Sequence, residues 1–163
     1  MDKFMTVINN GFLSNKLVEE IMACNEKTAE YGLKLSKADV QTLMTTRKES
    51  LKANGRVEFS GDIIIKLVEN FCDSPYISQY NYLDTIDELI DTFYYYKNET
   101  LDFVGDDELI EKMKEFFNGS CEGSVELLQN RELYKVEYNI KHGVHDFWKI
   151  KDDLEVVEDE EDY

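Results

Sequence analysis

The apolar positions of this chain recur in helical steps along most of its length and break at glycines, at one proline and at clusters of acids. From Ser14, a natural N-cap, Leu17, Val18, Ile21, Met22 and Tyr31 stay near a 3.6-residue period until Gly32, which predicts a helix over 14–31. Ser36 with Asp39 is a weak relative of the capping box, and Val40, Leu43, Met44 and Leu51 carry a second helix to Gly55. The stretch Tyr31–Leu35 between them is too short for anything but a connection.

Val57 and Phe59 then alternate with Arg56 and Glu58 as a short extended link, and Ser60-Gly61-Asp62 is suited to cap a third helix. Ile63, Ile64, Ile65, Leu67, Val68 and Phe71 are apolar almost all round, which predicts a buried hub helix. Pro75 stops it near Asp73, because the residue before a proline disfavours helical geometry. A fourth helix, from about Gln79 to Asn98, places Tyr82, Ile86, Leu89, Phe93 and Tyr96 on one stripe. Asp106-Asp107-Glu108 opens a fifth, with acids suited to the helix dipole, and Gly119 closes it; a sixth starts near Ser124. Over 133–150, Tyr134, Val136, Tyr138 and Ile140 alternate like a strand, whereas Leu133, Val136 and Ile140 fit a helix, the preferred reading. The expected fold is all-α: a compact bundle of about five to seven helices around a central apolar helix.

With 163 residues the chain fits one domain, expected over 1–151, followed by a tail over 152–163 that has eight acids in twelve residues and reads as solvated. Hydrophobic residues at 42% argue against wholesale disorder, while a net charge of −17 opposes binding to nucleic acid phosphates or an anionic membrane. No apolar run is long enough to span a bilayer, and the start, MDKFMTVINNGF, lacks a signal-peptide core, so the cytoplasm is expected. Cys24, Cys72 and Cys121 are an odd number without a CxxC pair, which points to reduced, packed thiols.

The helix at 79–98 carries Asp84, Asp87, Glu88 and Asp91 three and four residues apart, an acidic ledge that a solvated face tolerates. Read functionally, Glu88 and Asp91 (ExxD) could face Glu108 and Glu111 (ExxE) across a helical hairpin and hold Mg²⁺, the one cofactor the pattern suggests. This is loosely similar to the all-α nucleoside triphosphate pyrophosphatases, whose usual order places ExxE first and whose basic phosphate-binding residues have no evident counterpart here. His142 and His145 form an HxxH beside Asp146, but a transition metal needs three or four converging ligands, and surface or capping histidines are expected. Cys72-Asp73-Ser74 has no histidine assigned to activate the thiol. Lys34, Lys37, Arg47, Lys48, Lys52 and Arg56 form a basic island, read as charge balance or as a site for an acidic partner, a phosphate or the chain's own tail.

The phrases Gly55-Arg-Val-Glu-Phe, Phe71-Cys-Asp-Ser-Pro-Tyr-Ile, Asn81-Tyr, Phe93-Tyr-Tyr-Tyr-Lys-Asn-Glu and Asp106-Asp-Glu-Leu-Ile, in this order, resemble an uncharacterised bacterial family, mainly clostridial, known as a domain of unknown function. The resemblance covers roughly residues 35–130 and supplies no catalytic residue. The expected role is a non-catalytic cytoplasmic module that binds a protein partner or regulates one. The alternatives are a Mg²⁺-dependent nucleotide phosphohydrolase and an acidic mimic of nucleic acid. Oligomeric state stays open.

Overall fold

The sequence signals that carry most weight locally become helix ends. The computed structural model describes residues 15–58 and 62–149, and among them the regular structure is entirely helical. We number the helices α1 (15–23), α2 (Lys37–Ala53), α3 (Asp62–Phe71), α4 (Tyr82–Glu99), α5 (Asp106–Asn118) and α6 (Leu133–Lys141). The caps read at Ser14 and at Ser60-Gly61, the position of Phe59 and the acidic tail from Asp152 lie outside the described residues. The chain packs as two compact units that divide between Tyr94 and Tyr95, inside α4.

In the first unit, Ser36 and Asp39 form a complete capping box on α2: the Asp39 N–H donates to Ser36 Oγ, and the Ser36 N–H donates to Asp39 Oδ2. The connection before it is more than a spacer, because it buries Leu33 and Leu35. It does so without strand partners. The Asn25 amide pairs with the Leu35 backbone at 2.8 and 2.9 Å, and the Gln79 amide pairs with the Lys34 backbone at 2.8 and 3.0 Å. These side chains satisfy backbone groups that a neighbouring strand would otherwise serve.

Helix α3 buries Ile63, Ile64, Leu67, Val68 and Phe71, while Ile65 is half-buried and Glu69 and Asn70 reach solvent. In α4 the stripe read from the sequence, Tyr82, Ile86, Leu89, Phe93 and Tyr96, is buried throughout. Each such aliphatic or aromatic side chain contributes about 1.5 to 3 kcal/mol of burial free energy. The link after α2 is clamped through Glu58: Tyr94 Oη donates to its Oε1 at 2.6 Å, and Arg47 Nη2 donates to its carbonyl at 3.2 Å.

The second unit contains the end of α4 with α5 and α6. Its core includes Val104, Leu109, Met113, Phe117, Leu128 and Val136. Gly119 ends α5 for a steric reason, since a Cβ there would stand 2.9 Å from the Glu115 carbonyl oxygen. Ser124 caps the next turn by accepting from the Leu127 N–H. A π-turn over Leu128–Glu132 then feeds α6. That inserted turn shifts the buried stripe, which is why the periodicity blurs beyond Arg131 in the sequence. Helix α6 runs to Lys141 and is followed by turns, so 133–149 is helical only in its first half, and residue 150 lies outside the described residues.

Candidate functional site

The four acids read as a Mg²⁺ site fall two in each unit: Glu88 and Asp91 in the first, Glu108 and Glu111 in the second. Asp91 Oδ1 accepts a 2.7 Å hydrogen bond from the buried Ser50 hydroxyl, which ties α4 to α2. Glu88 sits at the solvent edge of α4, where partial desolvation, then Asp84 and Asp87, hold its carboxyl above the usual carboxylate range. One oxygen of Asp87 is buried without a hydrogen bond. Glu108 Oε2 accepts from Trp148 Nε1 at 2.8 Å, and Glu111 is exposed. Within either unit, among the described residues, no three His, Cys, Asp or Glu side chains are arranged to hold a metal ion.

The basic island opens into two kinds of residue. Lys37, Lys48 and Lys52 share one exposed row of α2, close to whole turns apart, and Lys34 points outward between the buried Leu33 and Leu35. Arg47 is drawn inward to Glu58, and Arg56 is half-buried past the end of α2.

Of the two HxxH residues, His142 serves a helix end. His142 Nδ1 donates to the Tyr138 carbonyl at 2.9 Å, His145 is exposed, and Asp146 pairs with Lys149. Cys121 is buried, and its burial, followed by the charge of Glu132, pushes the thiol pKa up. Cys72 is likewise packed at the end of α3, its Sγ 3.4 Å from the Glu69 carbonyl.

Sequence reasoning missed the most distinctive surface of the second unit. Tyr134 and Tyr138 lie one turn apart on α6 with 56% and 51% of their surface exposed. The His142 ring continues the row, stacked on Tyr138 with centroids 3.9 Å apart and planes at 25°. A spacing of 134, 138 and 142 is a helical row, and it could have been found had the same tyrosines not also fitted a strand alternation. Beside it, Lys141 Nζ bridges Glu99 Oε1 at 2.7 Å and Glu137 Oε2 at 2.8 Å, joining the end of α4 to α6. This hydrogen bonding raises the Lys141 pKa and lowers that of Glu99. Tyr95, half in solvent, has its pKa raised by desolvation and then by Glu99 and Glu137. The arrangement offers aromatic faces and hydroxyls next to a fixed polar triad.

Comparison with curated proteins and with solved structures gives no match. A family model covers residues 20–146, which takes in every described helix except the first residues of α1. The chain belongs to that family, a family of unknown function (DUF6323).

Proposed function

We propose that this protein is a non-catalytic interaction module of the cytoplasm that docks a protein partner on the tyrosine row of α6. The carrying observation is the row itself, Tyr134, Tyr138 and His142, held rigidly on a helix and left in solvent. Tyrosine gives large contact area at low entropic cost and is enriched at interface centres. The bridge of Glu99, Lys141 and Glu137 supplies a polar rim with its charges already paired. Three buried free thiols fit a reducing compartment. The test is the pair Tyr134→Ser and Tyr138→Ser, which removes the row while leaving the buried Leu133, Val136 and Ile140 in place. Loss of partner association with an unchanged unfolding curve supports the reading; association at wild-type strength defeats it.

A second role, regulation, is favoured by the exposed lysine row of α2. Lys37, Lys48 and Lys52 would receive an acidic partner, with the acidic residues 152–163 as competitor. Deletion after Lys151 should then tighten binding of a poly-glutamate peptide at low salt, and an unchanged affinity removes the regulatory role.

A further inference from the structure

Among the described residues, four helical segments end in the same hydrogen-bonded motif, and one of them breaks its residue rule. In this motif, the Schellman motif, the residue past the cap adopts a left-handed conformation, and two backbone N–H groups reach back to carbonyls of the last turn. The turn before Gly32, the end of α2 at Gly55 and the end of α6 at Gly143 all use glycine, with φ of 75°, 66° and 71°. At the end of α4 the Leu101 N–H donates to the Asn98 carbonyl at 3.0 Å and the Asp102 N–H to the Lys97 carbonyl at 3.2 Å. The left-handed position there is Leu101, φ 59°, and Asp102 follows at φ 60°. A leucine in this conformation sets its Cβ against its own carbonyl, a strain that glycine would relieve.

What the strained turn does is point apolar side chains outward. Leu101 is 58% exposed and Phe103 66%, on either side of Asp102, while Val104 turns back into the core. The turn is fixed from beneath by Lys97, whose buried Nζ donates to the Val104 carbonyl and stands 3.0 Å from Asp106 and 3.9 Å from Asp102. An ion pair between Lys97 and Asp102 thus occupies the place where this motif ordinarily makes an apolar contact. Thr100 Oγ1 adds a 2.7 Å bond to the Tyr96 carbonyl. Asp102, Asp107 and Glu108 stand exposed on the segment that carries the two apolar side chains.

We infer that the Leu101–Phe103 knuckle is a docking surface for a cationic amphipathic segment of a partner protein, with leucine-like side chains against Leu101 and Phe103 and lysine or arginine against the acidic rim. Charge complementarity selects this occupant: the exposed carboxylates of Asp102, Asp107 and Glu108 rim the knuckle in a chain of net charge −17, and Lys97, which pairs with Asp102 and Asp106, is buried beneath it. A second copy of this chain would bring another net charge of −17 against the same rim. The surface uses none of the residues of the tyrosine row, so the two readings stand or fall separately.

The test uses the full chain and a short, fluorescently labelled helical peptide made only of leucine and lysine, followed by anisotropy at low salt. Saturable binding is expected, weakened about tenfold or more by Phe103→Ser and by Leu101→Gly. Asp107→Asn should weaken it and flatten its salt dependence, and Tyr134→Ser should leave it unchanged. Trp148, the chain's single tryptophan, confirms by its fluorescence that the second unit of each variant is folded. Equal binding by wild type and Phe103→Ser would show that bulk charge holds the peptide, and that overturns the proposal. So does the absence of saturable binding, equal binding of a leucine and glutamate peptide, or a dimer of this chain that Phe103→Ser dissolves.

Discussion

Replacing Lys97 by methionine keeps most of the buried stem and removes the ammonium that holds the 100–105 turn. The wild-type Nζ donates to the Val104 carbonyl and pairs with Asp106 at 3.0 Å, with the lysine side chain only 11% exposed. Val104 is fully buried, so its carbonyl loses its lysine donor where little solvent reaches. A charge-assisted hydrogen bond contributes about 1.5 to 3 kcal/mol, and a stranded buried acceptor costs about 1 to 3. These overlap, since both describe the same bond. Asp102 and Asp106 are 54% and 40% exposed and recover hydration, so their pairing adds little. The expected loss for Lys97→Met is therefore about 2 kcal/mol. Urea unfolding followed by Trp148 fluorescence measures it in the correct unit, and amide exchange should accelerate first at residues 101–105. A loss below about 0.5 kcal/mol, the ordinary range for surface substitutions, would mean that Lys97 does not hold the turn.

Further outcomes follow from the same geometry. Tyr82 is buried with its hydroxyl beside Thr28 but outside good hydrogen-bond geometry, so Tyr82→Phe should stabilise the first unit by about 1 kcal/mol in denaturant titration, and a comparable loss would show that the hydroxyl is bonded to Thr28. The same burial pushes its pKa up to about 12, so ionisation of the unfolded chain should erode stability from pH 10 upward, and the phenylalanine variant should lack that share of the slope. Leu67→Ala should cost about 2 to 5 kcal/mol, because the side chain is wholly buried; a loss near zero would misplace the core. Hydrogen bonding from Lys141 lowers the Glu99 pKa below 4.5, so Glu99 contributes stability above that value and loses it as pH falls through its depressed pKa. Lys141→Met should abolish this acid-side share, as an acid denaturation series can measure. Calorimetry with Mg²⁺ should show no saturable binding; binding lost in both Glu88→Gln and Glu108→Gln would favour the phosphohydrolase alternative.

The sequence revealed those elements whose signals are local. Ser36, Asp39, Gly55 and the stripe from Tyr82 to Tyr96 each act within a few residues, and each does in the structure what its spacing implies. The π-turn at Leu128–Glu132 escaped because an inserted residue cancels the periodicity by which a helix is recognised. The role of residues 33–35 escaped because it depends on amides at Asn25 and Gln79, the latter 45 residues from Lys34. Charge runs were visible, but their partners were not. Arg47 reads as one more base of the island until Glu58 folds back on it, and Asp91 as one more acid of the ledge until Ser50 meets it. The knuckle was hidden because only the fold reveals that Leu101 occupies a left-handed position.

The central claim concerns the tyrosine row, and site-specific photocrosslinking in the native cell tests it most directly. A photoreactive phenylalanine analogue is placed at Tyr138 in one protein and at Tyr80, which is almost wholly exposed in the first unit, in another. The account predicts a discrete protein adduct from position 138 that is absent from position 80 and is competed away by excess wild-type chain but not by the Tyr134→Ser/Tyr138→Ser double variant. The same adducts from both positions, or equal competition by wild type and double variant, would contradict it.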